Sequence, residues 1–79
     1  MTHDIGQVIQ DLHDSEINGE VRWFYDGGWR VRLGDPSNGY DAEGDGVSSL
    51  ARAVELLRIM AVKHYPDSVF AKKYRRGFE

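Results

Sequence analysis

The chain has no cysteine, so disulfides and thiolate metal sites are excluded. It has two prolines, Pro36 and Pro66, and each falls where a turn or a helix end is expected. No apolar run approaches the length of a membrane span. The start, Met1-Thr2-His3-Asp4, lacks a basic region followed by an apolar one, so no signal peptide is predicted. With the missing cysteines this points to a cytoplasmic location. No internal repeat or low-complexity tract divides the 79 residues, which predicts one small domain. Catalytic signatures are also missing. Ser48, Ser49 and Ser68 have no His–acid partner at a telling spacing, and His3, His13 and His64 have no ligand spacing. The expectation is therefore a non-enzymatic protein, without a cofactor or an identifiable small-molecule substrate.

What the chain does have is organised around Val21–Leu33. Val21-Arg22-Trp23-Phe24-Tyr25 and Trp29-Arg30-Val31-Arg32-Leu33 are β-prone runs on either side of Asp26-Gly27-Gly28. A three-residue loop would pair Tyr25 with Trp29, Trp23 with Val31 and Val21 with Leu33, with Gly28 in the left-handed conformation. Every large apolar pair then shares one face. A loop dense in turn residues, Gly34–Gly39, leads to a third strand at Tyr40–Glu43. In that register Leu33 faces Tyr40 and Val31 faces Ala42, while Arg32 meets Asp41 and Arg30 meets Glu43.

Helices flank the strands. Ile5, Val8, Ile9 and Leu12 make one apolar stripe, and Asp4 with Gln7 resembles a capping box, with Thr2 as the rival cap. Asn18-Gly19 breaks the chain before the hairpin. Gly44-Asp45-Gly46 is read as the turn into a second helix capped by Ser48 or Ser49 and ended by Pro66. Its core stripe is Leu50, Ala53, Val54, Leu57, Met60, Ala61 and His64. Leu56, Ile59 and Val62 lie outside that stripe and need a cover. A last short helix, Val69–Arg75, capped by Asp67 or Ser68, carries Phe70 and Tyr74, and Phe78 continues their four-residue spacing. The fold class is α+β, ordered helix–strand–strand–strand–helix (αβββα), with a three-stranded antiparallel meander covered on one face. The predicted core is Ile5, Val8, Ile9, Leu12, Val21, Trp23, Tyr25, Trp29, Val31, Leu33, Tyr40, Ala42, Leu50, Val54, Leu57 and Ala61.

Several groups invite a functional reading. The outer hairpin face carries Arg22, Phe24, Arg30 and Arg32, a platform for single-stranded nucleic acid or a solvated face of cross-strand ion pairs. Asp41 and Glu43 favour ion pairs. Asp41-x-Glu43-x-Asp45-Gly46 imitates half of a calcium loop, but its twelfth position is Arg52, where a bidentate Glu is required. The glycines and hydroxyls of Gly44–Ser49 precede a helix N-terminus without the lysine of a phosphate loop, so ordinary capping is expected. The net charge of −3 divides into −7 over residues 1–46 and +4 over residues 47–79. Lys72, Lys73, Arg75 and Arg76 concentrate the positive end around the Phe70/Tyr74/Phe78 stripe, which either folds back on the second helix or docks elsewhere.

Gly28-Trp29-Arg30-Val31, Asp35-Pro36 with Gly39, Ala42-Glu43-Gly44-Asp45 and Ala53-Val54 resemble the HicB-type antitoxin domain over residues 28–54. That resemblance implies a module that binds and blocks a small partner protein. The overall topology is similar to that of double-stranded-RNA-binding domains. The positions where that family carries its RNA-gripping lysines and its histidine loop hold Ser48–Arg52 and Asp26-Gly27-Gly28 here, so an RNA-binding role is not implied. The leading expectation is a protein-interaction module that binds another protein or its own copy. Its contact residues would come from Arg22 and Phe24 on the hairpin, from Leu56, Ile59 and Val62, and from the basic C-terminus. The alternative is nucleic-acid binding through Lys72, Lys73, Arg75 and Arg76, with Lys63 or Arg22 contributing.

Overall fold

The computed structural model describes residues 4–75. Helix α1 spans Ile5–Asp14, strand β1 Gly19–Phe24, strand β2 Gly28–Leu33, strand β3 Ala42–Val47, helix α2 Leu50–His64 and helix α3 Val69–Tyr74. The strands form an antiparallel sheet in the order β1-β2-β3, and the helices lie on one face of it. This is the predicted α+β arrangement.

The helix ends follow the residues that cap them. The Asp4 side chain accepts from the Gln7 N–H at 2.9 Å and starts α1. Ser49 caps α2 and Ser68 caps α3 in the same way. α1 closes through Glu16, which takes a left-handed φ of 58°. The Ile17 N–H then donates back to the Leu12 carbonyl at 3.0 Å and the chain reverses toward the core. The break therefore comes at Ser15-Glu16, ahead of Asn18-Gly19.

The hairpin keeps its predicted faces but slides by two residues. Val21 pairs with Val31 and Trp23 with Trp29, while Phe24 pairs with Gly28. The turn is Tyr25-Asp26-Gly27, closed by the Gly27 N–H on the Phe24 carbonyl at 3.2 Å, and Gly28 adopts a φ of 80° as expected. Tyr25 is thus a turn residue, not a core one. β3 starts later and runs further than Tyr40–Glu43. Leu33 pairs with Ala42, Arg32 with Glu43, Val31 with Gly44 and Trp29 with Val47. One extra β3 residue between the last two pairs makes a bulge, and Gly46 supplies its left-handed φ of 67°. Gly44-Asp45-Gly46 is therefore part of the strand rather than the turn before α2. Gly44 also admits α2: a Cβ there would lie 2.5 Å from Leu56 Cδ2.

The core comprises Val8, Leu12, Ile17, Val31, Leu33, Ala53, Val54, Leu57, Met60, Ala61, Phe70, Ala71 and Tyr74. Fully buried side chains such as Leu33, Leu57 and Phe70 each contribute about 1.5–3 kcal/mol relative to exposure. α3 folds back on α2, so Phe70 and Tyr74 are internal and stack with ring centroids 4.4 Å apart. Phe78 lies outside the described residues. Ile5, Val21, Trp29 and Ala42 are only partly buried, and Tyr40 is half-buried with a φ of 63°. Four other predicted core residues, Ile9, Trp23, Tyr25 and Leu50, are exposed.

Candidate interaction surface

The exposed aromatics gather at the turn end of the hairpin. Trp29 lies opposite Val47, the last residue of β3, and α2 begins only at Leu50. Beyond that level the turn projects past the strand pair. Trp23 is 56% exposed and Tyr25 95% exposed. Trp23 leans on Trp29 with centroids 4.9 Å apart and planes tilted by 51°, so one side of the Trp23 ring is covered and the other is wet. Leu50, at the start of α2, is also exposed.

Beside Trp23 runs an open strand edge. The Gly34 N–H donates to the Asn18 carbonyl at 2.7 Å, which fixes the phase of the β1–β2 ladder. In an antiparallel pair, residues that bond the partner alternate with residues that do not. Continuing by twos from Asn18, the backbones of Glu20, Arg22 and Phe24 point at β2. Those of Gly19, Val21 and Trp23 point away from the sheet, where no further strand lies among the described residues. β3 is the other edge, and it is broken by its bulge and flanked by Glu43 and Asp45.

The outer sheet face neutralises most of its own charge. Arg30 Nε lies 2.6 Å from Asp45 Oδ1, and Arg32 Nε lies 2.9 Å from Glu43 Oε1. Both approaches are oblique and neither meets hydrogen-bond geometry, so Coulomb attraction rather than a directed bond carries them. Arg30 also sits 4.7 Å above the Phe24 ring, and Arg32 5.1 Å from the Tyr40 ring. The acids are each two residues further on than Asp41 and Glu43, the ones expected. Asp41 instead accepts a hydrogen bond from the Tyr65 hydroxyl. Arg22 is placed differently from the other arginines. It stands directly opposite Arg30, and Glu20, 3.7 Å away, is its neighbour of opposite charge.

The other singled-out residues are scattered. Leu56 and Val62 are partly buried against the core, and Ile59 is exposed at 37%. Lys73 Nζ is bound to Asp11 Oδ2 at 2.7 Å, and an Arg75 N–H donates to the Pro66 carbonyl at 2.7 Å. Lys72 is exposed, and Arg76 lies outside the described residues. Burial pushes the Asp11 carboxyl up, but hydrogen bonds from Lys73, Tyr74 and Gln7 outweigh it and hold the group below its ordinary value. Burial, and then the bond to Asp11, push the Tyr74 hydroxyl well up. A buried cation that the sequence did not reveal, Arg58, donates to Glu55 at 2.8 Å and to the Tyr74 carbonyl at 3.3 Å.

Among the described residues, no three His, Asp or Glu side chains converge as a metal site. A depression of about 180 Å³ lies beside the start of β1, lined by Asn18, Gly19, Glu20, Gly34, Pro36 and Tyr40. Among the described residues no helix is long and apolar enough to cross a membrane. The aromatic hairpin end was missed in the sequence because alternation put Trp23 and Tyr25 on the covered face. The signal available for Tyr25 was the turn itself: Tyr25-Asp26-Gly27 leave the ladder ahead of the left-handed Gly28, whereas Trp23 stays paired with Trp29. No family model matches the chain, and no curated protein or solved structure matches it.

Proposed function

We propose that this chain is a small protein-interaction module that binds through the free edge of β1 and the aromatic end of the hairpin. The observation that carries this reading is Trp23, 56% exposed beside an unpaired strand edge in a chain that buries Phe70 and Tyr74. Exposed Trp and Tyr supply large contact area at low entropic cost and dominate binding energy where they occur in interfaces. Backbone N–H and C=O groups on an open edge add directed hydrogen bonds to a partner strand. The resemblance of residues 28–54 to HicB-type antitoxin domains accords with a partner-binding role. The alternative, nucleic-acid binding by the basic C-terminus, has less behind it. Lys73 and Arg75 are already engaged within the chain, and Asp11 offsets the charge of Lys73.

The test is capture of polypeptides by the immobilised chain, compared with the Trp23→Ser/Tyr25→Ser variant. The wild type should retain specific partners, its own copies included, at physiological salt, and the variant should lose them. Equal capture by both, or none by either, overturns the reading. A urea midpoint for the variant confirms that the fold survives. Tyr25 is nearly fully exposed, so the loss should come from Trp23 packing alone, at about 1 kcal/mol.

A further inference from the structure

The free edge of β1 has a pattern that fits one partner strand in particular: itself. Its outward backbone groups belong to Gly19, Val21 and Trp23. An antiparallel copy can meet these groups only where odd-numbered residues face odd-numbered ones. Three such registers overlap the strand substantially, and charge separates them. Centring on Glu20 sets Glu20 against Glu20 of the second copy. Centring on Arg22 sets Arg22 against Arg22. Centring on Val21 sets each Glu20 against Arg22 of the other copy. Like charges directly opposite are destabilising and unlike charges stabilising.

Resting on the reading of β1 as a binding edge, we infer that the partner is a second copy of this chain. It is joined β1 to β1 about a two-fold axis through Val21. The two sheets become one, with the helices of both copies on the same face. The outward N–H and C=O groups of Gly19, Val21 and Trp23 are all satisfied. Val21 meets Val21 on the helix side of the sheet. Each Trp23 lies opposite Gly19 of the other copy, whose helix-side face is packed by Leu57, 3.3 Å from where a Cβ would stand. Arg22, set against Arg30 in its own chain, gains Glu20 of the second copy. β1 contains no proline, bulge or lysine to discourage such pairing.

The experiment is sedimentation equilibrium of the purified chain and of the single variants Glu20→Arg and Arg22→Glu, alone and mixed. The wild type should dimerise. Each single variant sets like charges opposite one another twice and should weaken the dimer at least tenfold. Mixed in equal amounts, the two variants regain opposite charges at both pairs, and association should return to within a few-fold of wild type. A wild type that stays monomeric at high micromolar concentration overturns the inference. So does a mixture that associates no better than its components. Glu20 also faces Arg32 and accepts from the Tyr40 hydroxyl, so the fold of each variant is checked by its urea midpoint. If Glu20→Arg fails to fold, Arg22→Glu paired with Glu20→Gln supplies the comparison, with Arg22→Glu the weaker of the two alone. A monomeric wild type that still captures partners through Trp23 and Tyr25 would refute the dimer and leave the interaction module standing.

Discussion

Gly44 makes the clearest demand on the packing of α2 against the sheet, and its replacement by alanine can be worked through. A Cβ at this position would lie 2.5 Å from Leu56 Cδ2 and 3.2 Å from Val31 Cγ2. The first separation is not tolerated, so Leu56 must turn or α2 must lift. Leu56 is only partly buried and its terminal methyl can swing, which puts the cost at the low end for overpacking, about 1–2 kcal/mol. Alanine also reduces the chain entropy lost on folding, worth about 0.5–1 kcal/mol in a strand. The net expectation for Gly44→Ala is between no change and a loss of about 1.5 kcal/mol. Leu56→Ala alone should cost about 1–2.5 kcal/mol, since the side chain is not fully enclosed. In that background the added methyl has room and the entropic gain remains, so Gly44→Ala should stabilise by about 0.5–1 kcal/mol. The double-mutant cycle should therefore show a coupling of at least about 1 kcal/mol. Urea unfolding followed by tryptophan fluorescence reads it, at about 1 kcal/mol per molar for a chain of this size. If Gly44→Ala costs the same in both backgrounds, Leu56 is not what fills the space above β3, and the packing account fails.

Two further outcomes test the lower half of the helical layer. The folded-state pKa of Asp11 is depressed, so its contribution is fully present above the unfolded value of about 3.9 and is lost as pH falls through the folded one. The wild-type urea midpoint should therefore drop more steeply between about pH 5 and pH 2 than that of Asp11→Asn; parallel curves would refute the assignment. Arg58→Ala should destabilise by about 2–3 kcal/mol through lost packing and a lost donor to the Tyr74 carbonyl. Arg58→Met keeps most of the packing and should recover about 1 kcal/mol of that in thermal or urea unfolding, whereas equal losses would assign the whole effect to the charge.

The helices were legible in the sequence because their signals are local. Asp4 and Gln7 announce the start of α1, and the side-chain-to-backbone bond between them is formed. The spacing of Phe70 and Tyr74 marks an apolar face that folds back on α2, as a core this small requires. Ile17 was not legible. It is one apolar residue between a helix and a strand, with no periodicity, and it is buried because the left-handed Glu16 turns it inward. Arg58 was not legible either, since a cation in an amphipathic helix ordinarily reaches water. Its burial depends on where the α3 carbonyls end. The exposed Trp23 follows from how far the helical cover extends along the hairpin, which no single strand encodes.

The strand registers were unreadable for a different reason. Alternation fixes which face a side chain takes, and it is unchanged by a slip of two residues. Charge did not break the tie at β3, because Asp41, Glu43 and Asp45 are themselves spaced by two. Arg30 and Arg32 find acids opposite in the expected register and in the one adopted. Volume decides instead. The adopted register puts Gly44 opposite Val31, where Leu56 needs a position without a side chain, and the register expected from charge would have put Ala42 there. The edge of β1 is the opposite case. It carries a single acid and a single base, Glu20 and Arg22, two residues apart on one face. A slip of two in either direction sets like against like, so the degeneracy that hid the β3 register is absent. Charge alone then selects the self-pairing centred on Val21, which is why reciprocal charge variants that fail alone and associate when mixed are diagnostic of it.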